Sequence, residues 1–263
     1  MAGASVPAPV QHGPLFVIPT LDEAPTVEAA VRGARSAGVD VLVVDDGSTD
    51  QTPAIVREVA ADLDGVHLLE RGRKMGLGSA YRDGFAWGMA KGYRAFGEMD
   101  ADLSHDPGDI PALLTAIERA DVAIGSRYVA GGGVEDWPLA RRVLSRGGNA
   151  YVRAWTGLPV RDATAGYRVY RRAVIEAIDM DSIAADGYAF QIEMALRAWL
   201  AGFTIAEVPI TFTERQVGVS KMSRAIVAEA LWRVPVWGVR SRRGRPRTAS
   251  GQAGRSGSAA GRG

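Results

Sequence analysis

"DVLVVDDGSTDQTPAIVREVAADLDGVHLLE", residues 40–70, reads as a strand, a turn, a helix and the strand that follows. The run "VLVV" is apolar without alternation, as expected of a strand covered on both faces. "DDGST" supplies turn chemistry, because short polar side chains bond their own backbone and glycine takes a positive φ. Residues 52–63 then carry apolar side chains at helical spacing, and "VHLLE" is the next short apolar run. Two such strands joined through a helix form a parallel β-α-β unit.

The alternation continues outward in both directions. "LFVIP" at 15–19 precedes an amphipathic segment at 26–37. "GLGSAYRDGFAWGMAKG" at 76–92 leads to "AFGEMD" at 95–100, and "DIPALLTAIERA" at 109–120 leads to "DVAIGS" at 121–126. The fold class is therefore α/β, with a central, mostly parallel sheet flanked by helices. The second half reads as a helix at 138–156, the motif "TAGYRVYRR", a helix at 186–201, a strand-like stretch "FTIAEVPITFTER" and a final helical segment at 221–239. No linker separates the halves, so residues 14–239 are expected to form one domain. A disordered leader (1–13) and a disordered Arg/Gly/Ser-rich tail (240–263) are expected to flank it.

Composition narrows the chemistry. The chain of 263 residues has no cysteine, which excludes disulfides and thiolate zinc sites and leaves oxygen or histidine as metal ligands. His12, His67 and His105 have no zinc-type spacing, and solvated or capping roles are expected for them. The net charge of +1 hides an asymmetry: seven arginines and no acid fall in 240–263, leaving 24 basic against 30 acidic residues elsewhere. The body has no basic stripe interleaved with aromatics, so no nucleic-acid partner is expected. No secretory signal is read at residues 1–14, and no run reaches the roughly 18 apolar residues of a membrane span. A soluble or membrane-peripheral protein is expected. "SKMSRAIVAEALWRVPVWGVR" at 220–240 fits either an interfacial helix, with tryptophans beside arginines, or a helix packed on its own domain.

Polar clusters stand where the strands end: "PTLDE", "DDGSTD", "DADLSHDP" and "GSRY". In open parallel sheets, ligands bind beyond the carboxyl ends of the strands. Asp45 or Asp46 could accept from a ribose hydroxyl or a base N–H, or simply cap its turn. "RGRKMGLGSAYRDG" lacks both common nucleotide-loop spacings, though its arginines and glycines could flank a pyrophosphate. Asp100 and Asp102 are two apart, so an extended backbone places both carboxylates on one face, where they could hold Mg2+ or Mn2+ against a diphosphate. Asp106 and Asp109 suit the start of the following helix.

Taken in order, "PTLDE", "DDGSTD", "DADLSHDP", "GSRY", "RDATAGYRVYRR", "GYAFQIEM" and "TERQVGVSKMS" resemble the dolichol-phosphate mannosyltransferase branch of the family 2 glycosyltransferases. The resemblance spans residues 14–239. It implies a GT-A type fold, GDP-mannose as donor, a polyprenyl phosphate as acceptor, a divalent metal (Mg2+ or Mn2+) and transfer with inversion. By motif match it puts Pro19, Leu21 and Glu23 with Asp45 or Asp46 at the guanosine, Asp100 and Asp102 at the metal, and both of these with Ala101 in the nucleotide-sugar site. Arg127, Arg215 and Lys221 fall around the donor phosphates, and Arg141 and Ser145 at the acceptor phosphate. Leu21 departs from the aromatic that relatives often carry. Ser104, a further candidate metal ligand, stands where some relatives have glutamine. The resemblance also implies a peripheral place on the cytoplasmic face of the membrane, with a separate membrane-anchoring protein as a candidate partner. Rival readings are transfer from UDP-glucose and a non-catalytic sugar-nucleotide-binding scaffold.

Overall fold

The computed structural model describes residues 12–183, 185, 187–214 and 232–239. Seven strands form one sheet in the order β3-β2-β1-β4-β7-β5-β8. They are β1 (His12–Thr20), β2 (Asp40–Asp45), β3 (Val66–Glu70), β4 (Tyr93–Glu98), β5 (Val122–Ser126), β7 (Arg168–Arg171) and β8 (Ile205–Pro209). All pairings are parallel except those of β7, which runs against both β4 and β5. A two-residue ladder joins β6 (Gly133–Val134) to β9 (Thr211–Phe212) beside the main sheet.

The apolar runs alternate between two cores. Leu15 and Val17 of β1 and Leu42 and Val44 of β2 face one cluster; Phe16, Ile18, Val41 and Val43 face the other. Helices α1 (Val27–Ser36), α2 (Thr52–Asp62) and α4 (Ile110–Ala116) cover the second cluster. Helices α3 (Leu77–Lys91), α6 (Arg172–Ala177) and α7 (Gly187–Leu200) cover the first, together with part of α5 (Leu139–Thr156). Each fully buried side chain of this kind is worth about 1.5–3 kcal/mol of transfer free energy. Double coverage explains why the strands read as unbroken apolar runs.

Two glycines set how closely α3 approaches the sheet. A methyl group at Gly84 would lie 2.5 Å from Val17, and one at Gly88 would lie 2.6 Å from Leu15 and 2.7 Å from Phe96. They are four residues apart and so share the face that meets β1.

Two expectations are corrected. The leader does not extend to residue 13: His12 and Gly13 belong to β1, where His12 pairs with Tyr93 and their rings lie 5.0 Å apart. Not all histidines are solvated or capping: His105 is buried and stacks on Tyr167 at 4.7 Å, while His67 lies 4.9 Å from the Trp87 ring. The final helical segment is described only at 232–239, where Val234 is fully buried in the first cluster and Gly238 sits against the Trp155 carbonyl of α5.

Candidate active site

The strand-end clusters meet along the carboxyl edge of β1, β2, β4 and β5, and most of their side chains have defined partners. Asp45 closes its own turn, accepting from Thr20 Oγ1, from Ser48 Oγ and from the backbone N–H groups of Gly47 and Ser48. Gly47 is required there: its φ is +83°, and a Cβ would meet the Arg73 backbone at 2.8 Å. Asp46 accepts from the amides of Met75 and Gly76 and pairs with buried Arg71 at 3.1 Å. The arginine of "RGRKMG" nearest β3 thus anchors the loop and is not presented to a pyrophosphate. Pro19 lies within β1 opposite Val44, with Leu21 and Glu23 just beyond the strand. The Glu23 amide donates to Thr52 Oγ1 at 2.9 Å, tying this loop to the start of α2.

Asp100, Ala101 and Asp102 follow β4 directly. Ser104 donates to Asp102 Oδ1 through its amide at 3.0 Å and its hydroxyl at 2.6 Å, which fixes the carboxylate's rotamer. Leu103 between them has φ +62°, a conformation that costs a branched residue about 1–2 kcal/mol. The Asp100 amide donates to His105 Nδ1 at 3.2 Å, and the stacked Tyr167 donates to the Asp106 carbonyl at 2.9 Å. Asp106 caps the 3-10 turn at Pro107–Asp109 by accepting from the Gly108 amide, whereas Asp109 makes no side-chain cap for α4. The apparent acidic cluster therefore divides into a capping aspartate and a pair held at the strand end.

That pair suits a hard divalent ion. A Cβ at Gly166 would stand 3.9 Å from both oxygens of Asp100, so glycine keeps room beside this carboxylate. No third His, Cys, Asp or Glu joins them in a metal-type group among the described residues. A carboxylate pair with room beside Asp100 matches an ion that takes its remaining ligands from water and phosphate oxygens.

Arg127, just past β5, is buried in a tight ion pair. Its amide and Nε donate to Asp162 Oδ2, at 3.0 and 2.7 Å, and its Nη2 donates to Asp162 Oδ1 at 2.6 Å and to Thr164 at 3.0 Å. The rings of Tyr128, Trp137 and Phe212 surround the guanidinium at 5.4–5.5 Å. Burial alone would lower its pKa, but the Asp162 carboxylate outweighs this and holds Arg127 above its ordinary value, fully charged. Across the same indole ring, at 4.1 Å, lies Arg141 in the first turn of α5, also paired with Glu214. Ser145, one turn later, receives a 2.6 Å hydrogen bond from the Tyr128 hydroxyl. Trp137 and Tyr128 thereby link the candidate donor arginine to the candidate acceptor pair. Arg215 and Lys221 lie outside the described residues.

Beneath the carboxylate pair is a buried polar layer that the sequence reading did not single out. Glu98, at the end of β4, is fully buried, and desolvation pushes its pKa up to about 7 against the pull of the Arg168 guanidinium, with Gln191 and Tyr170 alongside. Arg168 is itself fully buried and donates to the carbonyls of Ala163, Ala165 and Gln191. It thereby shapes the 162–167 turn that carries Asp162, Thr164 and Gly166 into the site. "RDATAGYR" holds Arg168 and "GYAFQIEM" holds Gln191, yet their meeting with Glu98 depends on the antiparallel placement of β7 beside β4.

The mostly parallel sheet, with an acidic pair and a clamped arginine along its carboxyl edge, matches the GT-A type fold that the motifs imply. The family model described as Glycosyl transferase family 2 matches residues 15–179. The chain is 49% identical over 237 residues to a polyprenol monophosphomannose synthase of Mycolicibacterium smegmatis, covering 89% of each chain. It is 46% identical over 230 residues to an undecaprenyl-phosphate mannosyltransferase of Micrococcus luteus, covering 87% of this chain and 95% of that one. Among solved structures, a mannosyltransferase from Pyrobaculum calidifontis in complex with GDP-Man and Mn2+ shares the fold, with a TM-score of 0.57 at 19% identity over 95% of this chain and 68% of that one. The protein belongs to glycosyl transferase family 2.

Proposed function

We propose that the protein moves mannose from GDP-mannose to the phosphate of a polyprenyl phosphate, with inversion at the anomeric carbon. The observation that carries this reading is near-half identity, over almost the whole chain, to relatives named for mannose transfer to polyprenol and undecaprenyl phosphate. The edge of the sheet supplies groups of the right chemistry. Asp100 and Asp102 would hold Mg2+ or Mn2+, with Ser104 orienting Asp102 through its hydrogen bonds. A divalent ion there would stabilise charge on the departing nucleoside diphosphate. Arg127 adds a permanent positive charge for the donor phosphates: Nε and Nη2 are committed to Asp162 and Thr164, leaving Nη1 for an oxygen. Arg215 and Lys221 are assigned to the same phosphates by motif. Pro19, Leu21 and Glu23 border the nucleoside, with Asp45 and Asp46 shaping the turns around it.

Arg141 and Ser145 hold the acceptor phosphate in line. A phosphate monoester with a second pKa near about 6 already presents an anionic oxygen at neutral pH, so no side chain need remove a proton. Asp162, the carboxylate that might otherwise serve, is committed to Arg127.

A peripheral seat on the cytoplasmic membrane face fits the surface, with or without a separate anchoring protein. Among the described residues, seven of the eight exposed large apolar side chains lie on two touching helices: Leu139, Val143, Leu144 and Trp155 on α5, and Trp232, Val236 and Val239 on the helix at 232–239. No described helix is long and apolar enough to cross a bilayer. The direct test uses purified protein, a short polyprenyl phosphate, a panel of GDP- and UDP-sugars and a metal series, reading the lipid product. Mannosyl lipid from GDP-mannose alone, abolished by chelation, is expected; glucosyl lipid from UDP-glucose would replace the donor assignment.

A further inference from the structure

Helix α5 carries four arginines and no acid, and they divide between its faces. Arg141 and Ser145 share one face. Arg146 and Arg153, seven apart, share another, and there an open cavity of about 690 Å³ is lined by Tyr128, Arg146, Asn149, Arg153 and Arg161. Arg146 lies over the Tyr128 ring at 5.6 Å and Arg153 Nη1 donates to the Arg161 carbonyl at 3.1 Å, so three arginines border one space. Neither neighbouring carboxylate forms an ion pair with them. Asp162 is taken by Arg127, and Glu207 accepts from the backbone amides of Arg161 and Asp162. Among the described residues these three arginines form no ion pair, unlike Arg127 and Arg141.

Arginines that line one cavity without ion-pair partners are matched to phosphate oxygens, which guanidinium groups bind through several N–H groups at once. The same helix exposes Leu139, Val143, Leu144 and Trp155. Exposed apolar and cationic side chains on one helix are the pattern of a surface that meets anionic lipid. We propose that this cavity is a second phosphate site, separate from the Arg141–Ser145 face, and that it takes the headgroup phosphate of an anionic membrane lipid.

Flotation of the full chain on phosphatidylcholine vesicles, with and without phosphatidylglycerol, tests this without any turnover, so failure of the proposed transfer reaction would leave it standing. The R146Q/R153Q variant is expected to lose roughly tenfold or more of its partitioning onto phosphatidylglycerol vesicles. The R94Q/R119Q variant removes the same charge from exposed positions at the opposite, amino-terminal end of the strands, and is expected to float like wild type. Far-UV circular dichroism and the urea midpoint are expected to be equal in all three proteins, which certifies their folds. Equal flotation of R146Q/R153Q and wild type would overturn the proposal, as would an equal loss in R94Q/R119Q. If millimolar inorganic phosphate strips wild type from the vesicles and raises its Tm but not that of R146Q/R153Q, the cavity is a free-phosphate site and the lipid assignment fails.

Discussion

Asp102 and Asp162 are both nearly inaccessible aspartates, yet their environments assign them different work. Asp102 is oriented by Ser104 at the strand end, so replacing it with asparagine is expected to cost on the order of 10²-fold or more in kcat, the scale of losing one preorganised electrostatic group. Far-UV circular dichroism should be unchanged, and wild-type activity at limiting Mn2+ would remove Asp102 from the metal site. Asp162→Asn acts through Arg127, which it leaves buried beside a neutral amide. Breaking a buried pair in this way costs about 3–5 kcal/mol, readable as a lowered urea midpoint. The acidic limb of its pH–rate profile should stay where the acceptor's phosphate places it; a limb that vanishes with Asp162 would require a protein base. Arg141→Ala should raise the KM for polyprenyl phosphate well above any effect on GDP-mannose. A raised donor KM alone would move Arg141 to the nucleotide.

At the level of elements, α3 offers a sharper test than any exposed helix. Alanine is ordinarily the better helix former by about 1 kcal/mol, but at Gly84 its methyl would press on Val17 at 2.5 Å. Overpacking of this kind costs about 1–3 kcal/mol, so Gly84→Ala should lower stability in a urea melt; a gain would mean that α3 can move away from the sheet. His67 of β3 gives a pH counterpart. Burial lowers its pKa, with Lys91, Arg35 and His12 acting in the same sense and Asp40 opposing. A group depressed in the fold contributes stability above its unfolded pKa of about 6.5, and that stability is lost as pH falls through the folded value. His67→Gln should therefore flatten the loss of Tm on acidification below pH 7. The strands and helices of the first half were legible in the sequence because double burial writes itself as uninterrupted apolar runs. Strand β7 was not: "YRVYRR" keeps neither a strand's alternation nor an unbroken apolar run, and buried Arg168 looks solvated until the carbonyls it serves are seen. At the site, Asp100, Asp102 and Arg127 could be picked out by motif. The partnership of Arg127 with Asp162, 35 residues away, and the aromatic cage of Trp137 and Phe212 arise only from the fold.

For the whole molecule, substrate binding and stability are one equilibrium. GDP-mannose with Mn2+ at a hundred times its Kd should raise the unfolding free energy by about 2.7 kcal/mol, and Asp100→Asn should abolish that increment while leaving the unliganded protein near wild type. An equal increment in the variant would take Asp100 out of the donor site. The place of β7 in the sheet has a further consequence. Because it is inserted between β4 and β5, the strand delivering Asp100 and Asp102 and the strand delivering Arg127 stand two inter-strand spacings apart, about 9.5 Å. Main-chain hydrogen bonds act here as a gauge block: with side chains exchanged or edge loops lengthened, the jaws on either side of the proposed diphosphate site keep the same opening. Diversification of a sheet built this way is thus channelled into what is held between the jaws, the base at one end and the acceptor at the other, and away from the span itself.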